Sequence, residues 1–292
     1  MLNGRFYWLF TELCLLILRK FSSLTSRKTY FTDGSHDSDS EATSYLKSIR
    51  SILNRESDLV RFRRKLTYRE ILEHLSFHDG LKYLERIENL ASREDAFRVV
   101  SLNTANDSFG LPITFKYAKY GRINPTTLRY IATALDISRE ISILPAHSVV
   151  EIGCGYGGQA SVINRIFGVS NYTCFDLDPV LDLVQIYLKM SNSNLEIQRG
   201  ELTNPSSPWD IAISNYAFSE LKRELQIDYL EKVLTKCNSG YMIMNSGGVN
   251  KTGRSKGKLS IDEIREYLPN LKVKDEIPLT GPDNYVIHWR LS

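Results

Sequence analysis

The chain has 292 residues, 42 % hydrophobic and 24 % charged, with a formal net charge of +3. That balance suits one large or two small globular domains, argues against disorder over most of the length, and is too weakly basic to point to nucleic acid. Four widely spaced cysteines, Cys14, Cys154, Cys174 and Cys237, fit a reducing compartment and speak against a disulfide framework or a paired metal spacing.

The first elements differ from the rest. Phe6 to Leu18 is largely apolar and is followed by Arg19, Lys20, Arg27 and Lys28. A spanning helix needs roughly 20 apolar residues; this run is shorter and contains Glu12. Phe21 to Ser26 matches a secretory cleavage region poorly. Two readings stand. Residues 1–30 form an interfacial helix whose basic flanks rest on the inner face of a membrane, or they pack as a plain helix or lie outside the fold. Both leave the protein in the cytoplasm. Residues 32–42 are polar, acidic and Ser-rich and read as a linker, which closes an N-terminal segment at 1–42.

Residues 43–145 carry a helical pattern and form a substrate-side preface. Tyr45, Ile49 and Ile52 recur at helical spacing, and Thr67-Tyr-Arg-Glu70 has the form of a capping box before Ile71, Leu72 and Leu75. Leu81, Tyr83, Leu84, Ile87 and Leu90 continue the pattern. Asn124-Pro125 reads as an N-cap and first helical position ahead of Leu128, Tyr130 and Leu135.

From 146 to 292 strands and helices alternate. Strands are expected at Ser148–Ile152, Asn171–Phe175, Leu195–Gln198, Asp210–Ser214 and Gly240–Met244. Helices are expected at Gln159–Phe167, Pro179–Met190 and Ala217–Lys236. Ser260 to Glu263 is another capping box. Leu271–Ile277 and Tyr285–Arg290 close the chain without a helix between them, an antiparallel ending. The pattern predicts an α/β fold, a doubly wound parallel sheet covered on both faces.

In such a sheet ligands bind beyond the carboxyl ends of the strands. There stands Glu151-Ile-Gly-Cys-Gly-Tyr-Gly-Gly158, in which Gly153, Gly155 and Gly157 let the backbone turn sharply and approach a ligand. The glycines alone also satisfy a dinucleotide pattern. Glu151 before them would repel a pyrophosphate and attract, directly or through water, the ammonium of a methionine moiety. Asp176, 23 residues after Gly153, can accept hydrogen bonds from both hydroxyls of a ribose; Leu177 follows it. A nicotinamide-dinucleotide oxidoreductase remains the rival, and a catalytically silent binding subunit a second.

Val149 to Gly158 resembles the first motif of class I S-adenosylmethionine-dependent methyltransferases, and Phe175-Asp-Leu-Asp-Pro179 resembles the second. More narrowly, Gly110-Leu-Pro112, Leu128-Arg-Tyr130 and Ile213-Ser-Asn-Tyr-Ala-Phe-Ser-Glu-Leu221 are similar to the sugar O-methyltransferases found with bacterial surface-polysaccharide genes. The likeness covers Phe109 to Gly248. It implies a Rossmann-like seven-stranded sheet, S-adenosylmethionine as cofactor, and a saccharide or nucleotide-sugar acceptor. Family members often carry a single acid after the second strand, so Asp178 competes with Asp176 here.

Methyl transfer asks the protein for positioning and proton removal. Asn215 would line the cofactor and Tyr216 the acceptor. Glu220 could be the base, or a first-turn glutamate favoured by the helix dipole. His288 could face the site from the last strand. His74 and His78 have the i, i+4 spacing of a metal pair without a third ligand. Catechol-type enzymes hold magnesium with acids where Asn215 and Asn245 stand, so no metal is expected. Asn103, Asn106 and Asp107 suit hydroxyls, and Phe115, Tyr117, Tyr120 and Tyr130 offer faces for a sugar ring, or else pack in the core. Lys251 to Lys258 is a basic loop, either a lid for an acidic acceptor or ordinary solvated chain.

Overall fold

The computed structural model describes residues 39–205, 208–245, 258–281 and 283–291. The apolar N-terminal run and most of the basic loop after residue 250 lie outside the described residues. No described helix is long and apolar enough to cross a membrane.

The preface holds six helices: α1 Asp39–Asn54, α2 Glu56–Leu59, α3 Leu66–Ile71, α4 Phe77–Leu90, α5 Arg93–Asn103 and α6 Pro125–Ile141. Helix α1 begins at Asp39, so the last residues of the expected linker are helical. Between α5 and α6 lies a hairpin absent from the sequence expectation, β1 Phe115–Tyr117 against β2 Gly121–Ile123. The Thr67 capping box does not form. Helix α3 starts two residues earlier, from Lys65, which caps with no side-chain bond, and the Thr67 hydroxyl meets Ser48 instead. A capping box forms at Ser76 with Asp79, and the Ser92 side chain caps α5. Asn124 caps α6 as expected, its side chain accepting from the N–H groups of Thr126 and Thr127.

The second part supplies β3 Ser148–Ile152, α7 Gly158–Phe167, β4 Asn171–Phe175, α8 Asp178–Met190, β5 Ile197–Arg199 and β6 Trp209–Asn215. It continues with α9 Ala217–Glu220, α10 Arg223–Lys232, β7 Cys237–Met244, α11 Ile261–Tyr267, β8 Lys272–Asp275 and β9 Tyr285–Arg290. The single helix expected from Ala217 to Lys236 is broken at Leu221 and Lys222, where both residues are extended. Lys258 enforces the break by donating to the backbone carbonyls of Glu220 and Leu221.

These strands form one seven-stranded sheet in the order β5-β4-β3-β6-β7-β9-β8, with β9 alone antiparallel to its neighbours. It is the doubly wound sheet with an antiparallel ending that the sequence predicts. Strand alternation divides the core in two. Val149, Ile211, Ile213, Tyr241 and Ile243 face a core shared with α6, α7, α8 and the whole preface. Val150, Ile152, Ala212, Met242 and Trp289 face α10 and α11.

The preface is bolted to the sheet by one buried cation. Arg63, fully buried, donates to Glu73 at 2.6 Å, to the carbonyl of Asn106 at 2.8 Å and to Asp107 at 3.3 Å. Asp107 in turn accepts from the Asn124 N–H and the Thr127 hydroxyl, anchoring the start of α6. Tyr187 of α8 donates to both oxygens of Asn106. Removing one partner of a buried ionic network leaves its acids uncompensated, so Arg63→Ala should cost about 3–5 kcal/mol in chemical denaturation. The exposed pair Arg98–Asp95 provides the control, and Arg98→Ala should leave the midpoint unchanged.

Candidate functional site at the strand switch

Strand order reverses between β3 and β6, and the glycine loop follows β3 there. Gly153 has φ +75°, and its N–H donates to the Phe175 carbonyl at 2.8 Å. A Cβ on it would lie 2.0 Å from the Cβ of Ala217, so the loop and the turn after β6 approach as closely as backbone allows. Gly157, at φ +85°, is the left-handed N-cap of α7.

Asp176 closes the loop from the neighbouring strand. Its carboxylate accepts from the Gly155 N–H at 3.2 Å and the Leu177 N–H at 2.8 Å, with the Cys154 thiol at 3.7 Å. Burial pushes its pKa up to about 6 against those donors. Asp178 instead opens α8, with Arg199 at 3.9 Å. Asp176 is therefore the acid joined to the glycine loop.

Glu151 lies under the loop rather than in it. It is 1 % exposed and accepts from the Tyr172 hydroxyl at 2.8 Å. Burial, with Asp176 nearby, raises its pKa to about 8. A carboxyl so placed is largely protonated at neutral pH, which corrects the picture of an open carboxylate facing a ligand.

At the end of β6, Asn215 donates to Gln159 of α7 at 3.2 Å, and Gln159 donates to the Tyr130 carbonyl at 3.1 Å. The Asn215 Oδ1 is buried without a hydrogen-bond partner. Tyr216 follows with φ +70°, an outlier for a side chain of its size. Its hydroxyl donates to Glu276, which also accepts from the Thr280 hydroxyl and N–H. Tyr216 and Glu276 line a cleft, partly open to solvent, together with Tyr83, Arg129, Thr133, Asp136 and Ile243.

Several expected site residues stand elsewhere. Asn106 is fully buried and saturated by Tyr187, Arg63 and Thr127, so it presents nothing to an acceptor. Tyr130 packs on the glycine loop, edge-on to Tyr156, rather than offering an open face. Tyr117 and Tyr120 spend their hydroxyls on Phe77 and Glu88. Glu220 ends the four-residue helix α9, exposed, and accepts from Asn245 at 2.6 Å, outside the cleft. His288 pairs across from Tyr241 in mid-strand and faces Glu140 at 3.8 Å, near the end of α6 remote from the glycine loop. His74 lies between helices, so the i, i+4 pair does not share a helix face. Among the described residues, no three acids, histidines or cysteines cluster as a metal would require.

Arg129, Glu276, Gln159 and Tyr83 enter the site unannounced by spacing. One signal was present: Arg129 is the lone charge in the otherwise uncharged run from Pro125 to Leu135.

No family model matches the chain, and no curated relative matches it. Among solved structures it is similar to the methyltransferase domain of bacterial-CtHen1-CN, at 14 % identity over 55 % of this chain and 97 % of that one, with a TM-score of 0.41. It is also similar to TehB from Haemophilus influenzae, at 16 % identity over 55 % and 62 % of the two chains, TM-score 0.41. The pyocyanin biosynthetic protein PhzM is similar at 14 % identity over 57 % and 58 %, TM-score 0.41.

The two raised acids set a pH dependence. The native state keeps a proton on Glu151 that the unfolded chain loses, so stability falls as pH rises from the ordinary value of 4.5 to about 8. Asp176 adds a similar loss that is complete above about pH 6. The melting temperature of the ligand-free protein should decline across that range. Glu151→Gln, neutral throughout, should flatten the decline above the Asp176 window, as calorimetric melting can read.

Proposed function

We propose that the protein is an S-adenosylmethionine-dependent methyltransferase that methylates a hydroxyl of a saccharide. The observation carrying this reading is the closure of the glycine loop by Asp176 at the strand switch, with the unpartnered Asn215 Oδ1 beside it. The donor set fits that cofactor. Asp176 offers the carboxylate that two ribose hydroxyls need, and its two backbone donors hold it in place. Asn215 Oδ1 is a buried acceptor awaiting a donor such as an ammonium. Gly153, Gly155 and Gly157 hold the loop in its left-handed turns, and Leu177 borders it from the head of α8.

The cofactor supplies an electrophilic methyl on sulfonium. The chain's own work is then to place an acceptor hydroxyl and to take its proton. Tyr216 at the end of β6 and Glu276 across the cleft sit on the acceptor side, beyond the glycine loop. Glu276 takes the proton from the acceptor hydroxyl, with Tyr216 and Thr280 orienting its carboxylate. The sugar acceptor itself rests on the resemblance of Ile213 to Leu221, and a role in surface-polysaccharide synthesis follows from the same likeness.

Asp176→Asn should weaken S-adenosylhomocysteine binding about 10- to 100-fold by calorimetry, the value of lost charge-assisted hydrogen bonds. Binding of NAD in place of S-adenosylhomocysteine would overturn the assignment. In a methyl-transfer assay, Glu276→Gln should lower kcat by about 100-fold or more, the usual contribution of a general base. A wild-type rate in that variant would remove Glu276 from the reaction.

A further inference from the structure

Arg129 is the one member of the cleft whose chemistry is left open. It is 7 % exposed, at the start of the second turn of α6, and its guanidinium stands 5.6 Å from the Tyr130 ring and 5.7 Å from the Tyr216 ring. Those faces are its neighbours. Among the described residues, no hydrogen bond engages its side chain, and no carboxylate comes within ion-pair distance. The chain's other sequestered arginines are handled differently. Arg63 holds two carboxylates and a carbonyl, and Arg86 holds Asp136 at 2.6 Å. The Arg129 stem is buried, but none of its nitrogens is among the sealed, unpartnered atoms of the described residues, so its donors open onto the cleft where an acceptor can reach them.

A second orphan faces the same space. The Tyr83 hydroxyl lines the cleft, buried, with no partner. Glu276 lines the same cleft but does not come within ion-pair distance of Arg129; its oxygens accept from Tyr216 and Thr280. Asp136 is likewise engaged by Arg86. The cleft therefore presents two donor groups with no acceptor from the chain. Among the described residues, Arg129 is also the only cation lining it. A single planar fork matches a singly charged, planar anion. A phosphate dianion would call for more positive charge than one arginine beside two carboxylates.

We propose that Arg129 and the Tyr83 hydroxyl anchor the carboxylate of an acidic saccharide acceptor. This deepens the methyltransferase reading above and rests on it. Neither the glycine-loop residues nor Asp176 line the cleft, which separates this anion site from the ribose end of the cofactor site. The other source of a carboxylate is the cofactor's own amino-acid moiety, and the experiment distinguishes the two.

The full-length protein is titrated calorimetrically with S-adenosylhomocysteine. The loaded protein is then titrated with glucuronate, galacturonate and N-acetylneuraminate, and with glucose and galactose as neutral counterparts. At least one acidic sugar should bind the loaded wild type about 10- to 100-fold more tightly than the neutral sugars. Arg129→Gln should erase that preference while changing S-adenosylhomocysteine affinity by less than about threefold. Arg129→Lys should retain part of the preference, which separates lost charge from lost fold. A fall in S-adenosylhomocysteine affinity in Arg129→Gln would assign the carboxylate to the cofactor and overturn the proposal. Equal binding of acidic and neutral sugars, or of neither, would overturn it too. Failure of the wild type to bind S-adenosylhomocysteine would instead sink the methyltransferase reading, before Arg129 enters the question.

Discussion

Arg63 is the fixed point of the molecule. A guanidinium removed from water must have its charge and its donors answered within the protein, and few arrangements do so. Here the answer draws on Glu73 in the loop after α3, Asp107 and the Asn106 carbonyl ahead of the hairpin, and the ring of Tyr156 in the glycine loop, 4.8 Å from the guanidinium carbon. Asp107 passes the constraint to Asn124 and Thr127 at the head of α6, and Asn106 passes it to Tyr187 of α8. Three segments distant in sequence are thereby held over one loop. The preface and the sheet share a core, and the residues facing the glycine loop from above are fixed as firmly as those below it.

The same helix carries two uses of positive charge and aromatic surface. At its head, Thr127 serves the Arg63 network; two residues on, Arg129 turns into the cleft with no anion of its own. The contrast between the two arginines is a contrast between structure and site. One is held by two carboxylates and a carbonyl of the chain and is unavailable to any ligand. The other is held beside tyrosine rings with its donors open to the cleft. Positioning a donor before a ligand arrives is what makes an electrostatic contact selective, because the reorganisation has already been met by folding.

Much of the sheet is legible in the amino-acid pattern. Ser148–Ile152 and Asn171–Phe175 are short apolar runs bounded by turn residues, and they form strands with those limits. Gly168 ends α7 in the left-handed conformation that its position suggests. Local patterns fail where distant contacts decide. The Thr67 box has the right residues, yet Thr67 lies inside the first turn of α3 and its hydroxyl meets Ser48. The hairpin at 115–123 is built of two three-residue strands, too short to show an alternation. In the site, Gly153, Gly155, Gly157 and Asp176 are readable because a tight backbone approach and an acid at a strand end have fixed spacing. Glu276 and Arg129 are not, since one comes from a turn after β8 and the other from a helix before β3. Only folding brings them to one cleft. Glu220 and His288 show the converse, chemically apt residues that the fold carries elsewhere.

Tyr216 holds a backbone angle that glycine would adopt without penalty, and for a tyrosine such strain costs on the order of 1–3 kcal/mol. Glycine there would release the strain and take away the ring beside Arg129 and the hydroxyl on Glu276. The twist at the end of β6 therefore exchanges local stability for the placement of one side chain in the cleft.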